Sequence, residues 1–273
     1  MAGRPQPEWG FIEARGTRLY YEVAGRGHPL VLLHGGLLDH RVWDPQFMEF
    51  ARHYEVVRYD LRGFGRSAMG SVEYSDVRDL YDVLNDLAID RAYLLGLSQG
   101  GRVAIDFTLT YPEMVDALIL AAANISGYDN YMPETLERGE RIAAAARARD
   151  KQQLYELWAN DPAMPHEDEY PEAAQRYREL LRDYSFVHYL NPVPSQQLNP
   201  PALQRLADIR QPTLILIGDA DSLELQAQAD LLEAGIIDAK KVVIRGARHM
   251  LNLERPETFN RAVLTFLRSL ERR

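Results

Sequence analysis

The sequence predicts an α/β fold: a mostly parallel sheet with helices on both faces and a helical insertion late in the chain. Three observations carry that expectation. Short, almost unbroken apolar runs recur along the chain, which suits strands buried on both faces. Amphipathic stretches of helical period lie between them. One long segment, residues 124–210, breaks the alternation and contains no convincing strand.

The elements follow in order. Residues 11–15 and 18–24 read as a hairpin turning at Arg15-Gly16-Thr17. Residues 29–33 (PLVLL) are the next run and stop at His34-Gly35-Gly36. Residues 55–59 stop at Asp60, and residues 92–95 stop at Gly96. Residues 115–123, 213–217 (TLILI, stopping at Gly218-Asp219) and 242–244 complete the set. Between them, residues 72–87 put Val77, Leu80, Tyr81, Leu84 and Leu87 on one stripe, and residues 100–111 and 255–270 read the same way. Right-handed crossovers bring the ends of parallel strands to one edge of the sheet, where ligands bind. Residues 1–123 and 211–273 are therefore expected to form the core domain and residues 124–210 a helical layer. Within that layer residues 133–148, 151–158 and 172–184 are helical, and prolines from Pro162 to Pro201 punctuate the rest.

Composition narrows the function. A chain of 273 residues with 46% hydrophobic and 26% charged residues is globular rather than disordered or fibrous. Against 40 acidic residues stand 31 basic ones, and the net charge of −9 repels phosphate backbones and anionic membrane surfaces. Neither nucleic acid nor membrane is expected as a partner. The absence of cysteine removes thiol nucleophiles, disulfides and thiolate zinc sites. No apolar stretch approaches the ~20 residues of a membrane span. The N-terminal MAGRPQPEWG lacks the apolar centre of a signal peptide, so a cytoplasmic protein is expected.

Gly96-Leu97-Ser98-Gln99-Gly100 spells G-x-S-x-G after a strand and at the start of a helix. A strand turning that sharply into a helix presses the flanking residues together, so they must be small, and it leaves Ser98 exposed in a strained conformation. Ser98 is thus a candidate nucleophile; a plain helix N-cap is the blander reading. His34-Gly35-Gly36 would let backbone N–H groups approach a reacting oxygen, with Gly36 and Gln99 as the expected oxyanion-hole donors. His34 itself reads as a residue that orders the loop. Asp219 and Asp221 end one strand, and His249 follows the last one, giving the chain order Ser, acid, His. His28, His40, His53, His166 and His188 read as packing or surface groups. Gly63, Gly65 and Ala68 spell a nominal dinucleotide motif, but Met69-Gly70-Ser71 follows where a helix should open. A loop with Asp60 and Arg62 in structural hydrogen bonds is the better account.

Together HGG (34–36), DLRGFGRS (60–67), GLSQGG (96–101), GDAD (218–221) and GARHMLNLERP (246–256) resemble the α/β-hydrolase superfamily, from about residue 10 to residue 270. The resemblance implies the α/β-hydrolase fold, an eight-stranded mostly parallel sheet with residues 124–210 as a helical cap. It assigns the nucleophile to Ser98, the acid to Asp221, the base to His249 and the oxyanion loop to Gly36. Its G-x-x-D spacing, counted from Gly218, selects Asp221 over Asp219. Arg248 stands where many relatives have glycine and puts a long cation near the site entrance. A serine nucleophile implies acyl transfer rather than the alkyl-ester chemistry of dehalogenases and epoxide hydrolases, which use aspartate. The expected reaction is hydrolysis of a small carboxylic ester or lactone through an acyl-enzyme, with no metal or cofactor. The spacing of His34 and His40 matches no metal-site motif. Cap aromatics such as Trp158 and Phe186 are the candidate substrate-binding residues, with Tyr128, Tyr131, Tyr184 and Tyr189 beside them. The same residues would serve a carbon–carbon bond hydrolase, which needs a second carboxylate site to which Arg248 is the pointer, or a cofactor-free perhydrolase. A hydrolase-like small-molecule receptor is the alternative from another class.

Overall fold

A computed structural model describes residues 7–271. The last two residues, and the first six, which begin the segment read for a signal peptide, lie outside the described residues. Strands β1 (Glu8–Ala14) and β2 (Thr17–Gly25) form a hairpin, with Gly16 at φ +70° supplying the turn. The remaining strands are β3 (Pro29–Leu33), β4 (Glu55–Tyr59), β5 (Ala92–Leu97), β6 (Val115–Ala121), β7 (Thr213–Gly218) and β8 (Ala239–Ile244). They make one eight-stranded sheet in the order β1-β2-β4-β3-β5-β6-β7-β8. β2 runs antiparallel to both β1 and β4, and every other adjacent pair is parallel. Every residue of β5 and β7 is buried, as both-faced burial in a parallel sheet requires. The edge strand β8 has exposed Lys240 and Val243, so only part of it shows in the sequence as an apolar run.

The helices are α1 (Asp44–Phe50), α2 (Asp76–Asp86), α3 (Gln99–Thr110), α4 (Pro133–Arg147), α5 (Lys151–Ala159), α6 (Pro171–Asp183), α7 (Val187–Leu190), α8 (Leu223–Gly235), α9 (Leu251–Glu254) and α10 (Pro256–Leu270). α1 packs on α10, whose buried Phe259, Val263 and Leu267 recur every four residues. α2 packs on α3, and α8 lies against β7 and β8. The sequence starts α2 at residue 72; it starts at Asp76, where Ser75 accepts the Arg78 N–H at 3.3 Å. The preceding Tyr74 is extended instead, because it bridges Ser195: its N–H donates to Pro194 O at 3.2 Å and its carbonyl accepts from Gln196 N at 2.7 Å. Among the described residues, no helix is long and apolar enough to cross a membrane.

Helices α4–α7 lie between β6 and β7 in the chain. These two strands are parallel neighbours, with Leu118 opposite Thr213. The chain must therefore travel the height of the sheet before β7 can begin. Two 3-10 turns, Ala202–Gln204 and Leu206–Asp208, make that return against α3 and α8. Ser126 holds its upper part, accepting the Ala202 and Leu203 N–H groups at 2.9 and 3.1 Å, and Arg205 reaches Leu109 O at 3.2 Å.

The loop after β4 is fixed by buried charge. Arg62 pairs with Asp79 at 2.6 and 2.8 Å, both fully out of solvent, as the structural reading of that loop requires. Asp60 accepts from Arg66 N and from both the N–H and the Nδ1 of His40, at 2.7–2.8 Å. His40 Nε2 lies 3.4 Å from Glu22. Burial opposes a charge on His40, but hydrogen bonds to Asp60 and Glu22 outweigh it and hold the imidazolium up to about 9. Asp39, His40 and Asp60 bring three ligand-type atoms within 4.8 Å of one another. Asp39 is already paired with Arg41 at 2.6 Å and Asp60 is fully hydrogen-bonded, so the cluster is an ion-pair network.

Candidate active site

The strand order reverses between β3 and β5, and a crevice opens at such a switch point beyond the strand ends. β3 delivers Gly35-Gly36 to it and β5 delivers Ser98. Ser98 has φ +53°, a left-handed backbone rare outside glycine. The strain is held in place by close packing. A Cβ at Gly96 would sit 2.3 Å from Gly100 O, and one at Gly100 would sit 2.2 Å from Leu33 O. The Ser98 N–H donates to Ala121 O at 2.9 Å, and its carbonyl accepts from Arg102 N and Asn124 N at 3.2 Å. The hydroxyl is left to face the crevice.

His249 Nε2 lies 3.0 Å from Ser98 Oγ, and its Nδ1 lies 3.1 Å from Asp221 Oδ2. With the carboxylate on the Nδ1 side, Nδ1–H donates to Asp221 and Nε2 is free to accept the serine proton. Ser222 N donates to the other Asp221 oxygen at 2.7 Å and fixes the carboxylate. Asp219, two residues earlier, points away and accepts the Gly246 N–H at 2.6 Å. Burial disfavours a charge on His249, but Asp221, then Asp161 and Glu254, raise its pKa above the ordinary imidazole value. The sequence thus places Ser98, Asp221 and His249 apart in the chain, and the fold brings them into one hydrogen-bonded line.

Gly36 lies against Gln99, since a Cβ on it would meet Gln99 Oε1 at 2.8 Å. Gln99 opens α3, so its N–H has no partner within the helix. His34 does order this loop. Its Nδ1–H donates to Gly35 O at 2.7 Å and its Nε2 accepts from Leu61 N at 2.9 Å, while burial lowers its pKa and keeps it neutral.

Two cavities meet at Ser98, Asn124, Trp158, Met164 and His249. The smaller, about 250 Å³, contains Gly36 and Gln99 and is walled by Phe64, Tyr177, Tyr184 and Tyr189. His188 joins that wall, stacked on Phe64 at 4.2 Å, accepting from Tyr184 OH at 2.6 Å and donating to Arg62 O at 2.9 Å. The larger, about 1110 Å³, runs between α4, α5 and the start of α8. Trp158 lines both cavities. The expectation for Phe186 is corrected. It is fully buried and lines neither cavity, packing between α6 and α7 on Tyr184 and Tyr189 at 4.8 and 6.2 Å with its backbone at φ +59°.

Sequence reasoning passed over three residues at the site. Asn124 Nδ2 is 3.4 Å from Ser98 Oγ. Ala163 O accepts the His249 N–H at 3.0 Å. Glu254 accepts the Arg248 N–H, while its other oxygen is buried without a partner and burial pushes its pKa up to about 7. Only Glu254 had a local signal, the last motif in which it sits.

Comparison with known proteins agrees with this architecture. A family described as "Alpha/beta hydrolase family" matches residues 30–262. A pimeloyl-[acyl-carrier protein] methyl ester esterase of Pectobacterium carotovorum is 30% identical over 264 residues, 91% of this chain and 98% of that protein. A 2-hydroxy-6-oxo-6-phenylhexa-2,4-dienoate hydrolase of Comamonas testosteroni is 27% identical, with 92% and 91% covered. The crystal structure of a hydrolase from Pseudomonas aeruginosa PA01 superposes with a TM-score of 0.78 at 28% identity, covering 98% of this chain and 99% of that one.

Proposed function

Since the chain belongs to the alpha/beta hydrolase family, we propose that it hydrolyses small carboxylic esters or lactones through Ser98, His249 and Asp221. The observation that carries this reading is the line Asp221–His249–Ser98, 3.1 and 3.0 Å between successive atoms, on a left-handed serine facing two cavities. His249 Nε2 takes the Ser98 proton as Oγ attacks the carbonyl, and Asp221 stabilises the imidazolium that forms. The N–H groups of Gly36 and Gln99 receive the developing oxyanion. His249 then returns the proton to the departing alcohol, forming the acyl-enzyme. Water, deprotonated by the same imidazole, releases the acid and restores the serine.

The cavities support a division of the substrate. The carbonyl oxygen must face Gly36 and Gln99, which line the smaller cavity, so the acyl group lies there. At about 250 Å³ against about 1110 Å³, this cavity suits the smaller part of the substrate. The leaving group departs past His249 into the larger cavity. By name, one relative is a methyl ester esterase and another a hydrolase of a 2-hydroxy-6-oxo-dienoate. Arg248, the residue that suggested the carbon–carbon reading, lines the larger cavity with Nη1 on Pro162 O, Nη2 on Glu169 and Nε without a partner, so that reading keeps its pointer as the alternative.

A panel of esters and lactones of graded acyl length, run with wild type and Ser98→Ala, tests the proposal. Turnover should peak at short acyl groups and fall by roughly 10³-fold or more in Ser98→Ala without loss of folding. A serine-directed phosphonate should label Ser98. Undiminished turnover by Ser98→Ala would reject the nucleophile, and a lasting acyl adduct without turnover would favour a receptor.

A further inference from the structure

Arg248 immediately precedes the candidate base, and its guanidinium is not free at the entrance. Nη1 donates to Pro162 O at 3.2 Å and Nη2 to Glu169 Oε1 at 2.9 Å, both in the segment between α5 and α6. On the other side, its main-chain N–H is held by Glu254 of α9. The next N–H, that of His249, donates to Ala163 O in the same cap segment. Further along, Tyr170 OH reaches Gly246 O, and Arg255 Nη2 reaches Tyr170 OH at 2.8 Å. The loop carrying His249 is therefore stitched to residues 162–170 as well as to the core. That segment is itself braced from inside the cap: Asp161 accepts the Ala163 N–H at 2.9 Å and pairs with Arg138, which lines the larger cavity.

We propose that Arg248 is a positioning residue that clamps the cap segment 162–169 onto the His249 loop, so that the base is set in register by the cap and not by the core alone. This rests on His249 acting as the base in the reaction proposed for Ser98. The contribution to overall stability is small, because an ion pair to the half-exposed Glu169 is worth little in water. The contribution to rate is not bound by that limit. Proton transfer requires Nε2 to stay within hydrogen-bond reach of Oγ, and displacements near 1 Å cost up to ~10²-fold. Residues 160–164 also line the larger cavity, so a leaving group that packs there presses on the segment that holds the base.

The test uses full-length Arg248→Met, which keeps most of the stem and removes both guanidinium bonds, beside Arg248→Lys and Glu169→Gln. Amide exchange at His249 reads the clamp without depending on turnover. Steady-state kinetics on a short-chain ester read its consequence. In Arg248→Met we expect the His249 amide to exchange at least ~10-fold faster and kcat to fall about 10-fold with KM within ~2-fold, because registration of the base is lost rather than binding. Arg248→Lys should recover part of both losses, and the double variant with Glu169→Gln should add little to Arg248→Met. Wild-type exchange and wild-type kcat in Arg248→Met would overturn the proposal. So would a kcat loss that follows thermal destabilisation and is equal in Arg248→Lys. If the wild type hydrolyses no ester in the panel while the exchange difference is present, the clamp stands and the esterase reading falls.

Discussion

At the scale of residues, two aspartates two positions apart have separate tasks. Asp221 faces His249 Nδ1, whereas Asp219 holds the Gly246 N–H and so ties the end of β7 to the loop after β8. Asp221→Asn should lower kcat on the order of 10⁴-fold with folding intact, because the imidazole is left in the wrong tautomer. Asp219→Asn should keep most activity and lose ~1 kcal/mol of stability. Kinetics and urea titration of the pair check the ranking; the reverse order would move the acid to Asp219. The charge around His249 has its own signature. Three carboxylates, Asp221, Asp161 and Glu254, raise its pKa, and catalysis needs it neutral. The acid limb of kcat/KM should therefore lie above pH 6.5, the ordinary imidazole value. Glu254→Gln removes one of those charges and should move the limb to lower pH, which a pH–rate profile measures directly.

At the scale of elements, the same substitution has opposite effects in two helices. Gly100→Ala in α3 drives a methyl into Leu33 O and His34 O, backbone atoms that cannot yield without parting β3 from α3. It should cost at least ~3 kcal/mol and distort the turn that presents Ser98. Gly139→Ala in α4 meets nothing within 4 Å and should stabilise by ~0.5–1 kcal/mol. Thermal melts of both variants check the contrast. This also marks what could be read from the sequence. Burial on both faces makes β3, β5 and β7 unbroken apolar words, and the elbow announces itself because its glycines have no substitute. α8 carries no clean apolar stripe, since its buried positions include Glu224 and Gln228, polar groups satisfied by distant partners at Thr135 and Ile125. The same reason hid the contact from Ala163 to His249, which joins residues 86 apart through backbone atoms and leaves no side-chain pattern. Phe186 looked like a pocket wall because an apolar ring reads alike in a wall and in a core. Its direction is decided by a left-handed backbone that the sequence does not signal.

At the scale of the whole molecule, His40 joins β2, the segment after β3 and the loop after β4 through Glu22 and Asp60. Its pKa is raised from 6.5 to about 9, so the folded state binds its proton more tightly than the unfolded chain does. The stabilisation is complete below pH 6.5 and is lost as pH climbs through about 9. A shift of that size corresponds to roughly 3 kcal/mol. Denaturant unfolding at pH 6 and pH 9.5 should show the loss in wild type, and His40→Gln should flatten the difference. An unchanged pH dependence in that variant would mean that the ion pairs around Asp60 carry no net stabilisation.

The return segment between α7 and β7 has a consequence for how such proteins can exchange parts. Because β6 and β7 run side by side in the same direction, the two ends of the inserted helices leave the sheet at different heights, and residues 202–210 span that difference against α3 and α8. A cap swapped between relatives at residues 124 and 210 would remove the host's own crossover together with Ser126, and would orphan the buried Asp106, to which the Ser126 hydroxyl donates at 2.7 Å. A graft limited to residues 128–198 leaves Ser126, Asp106 and the crossover with the host. The transplantable module is thus shorter than the insertion, and chimeras joined at the inner boundaries should fold where those joined at the outer ones aggregate.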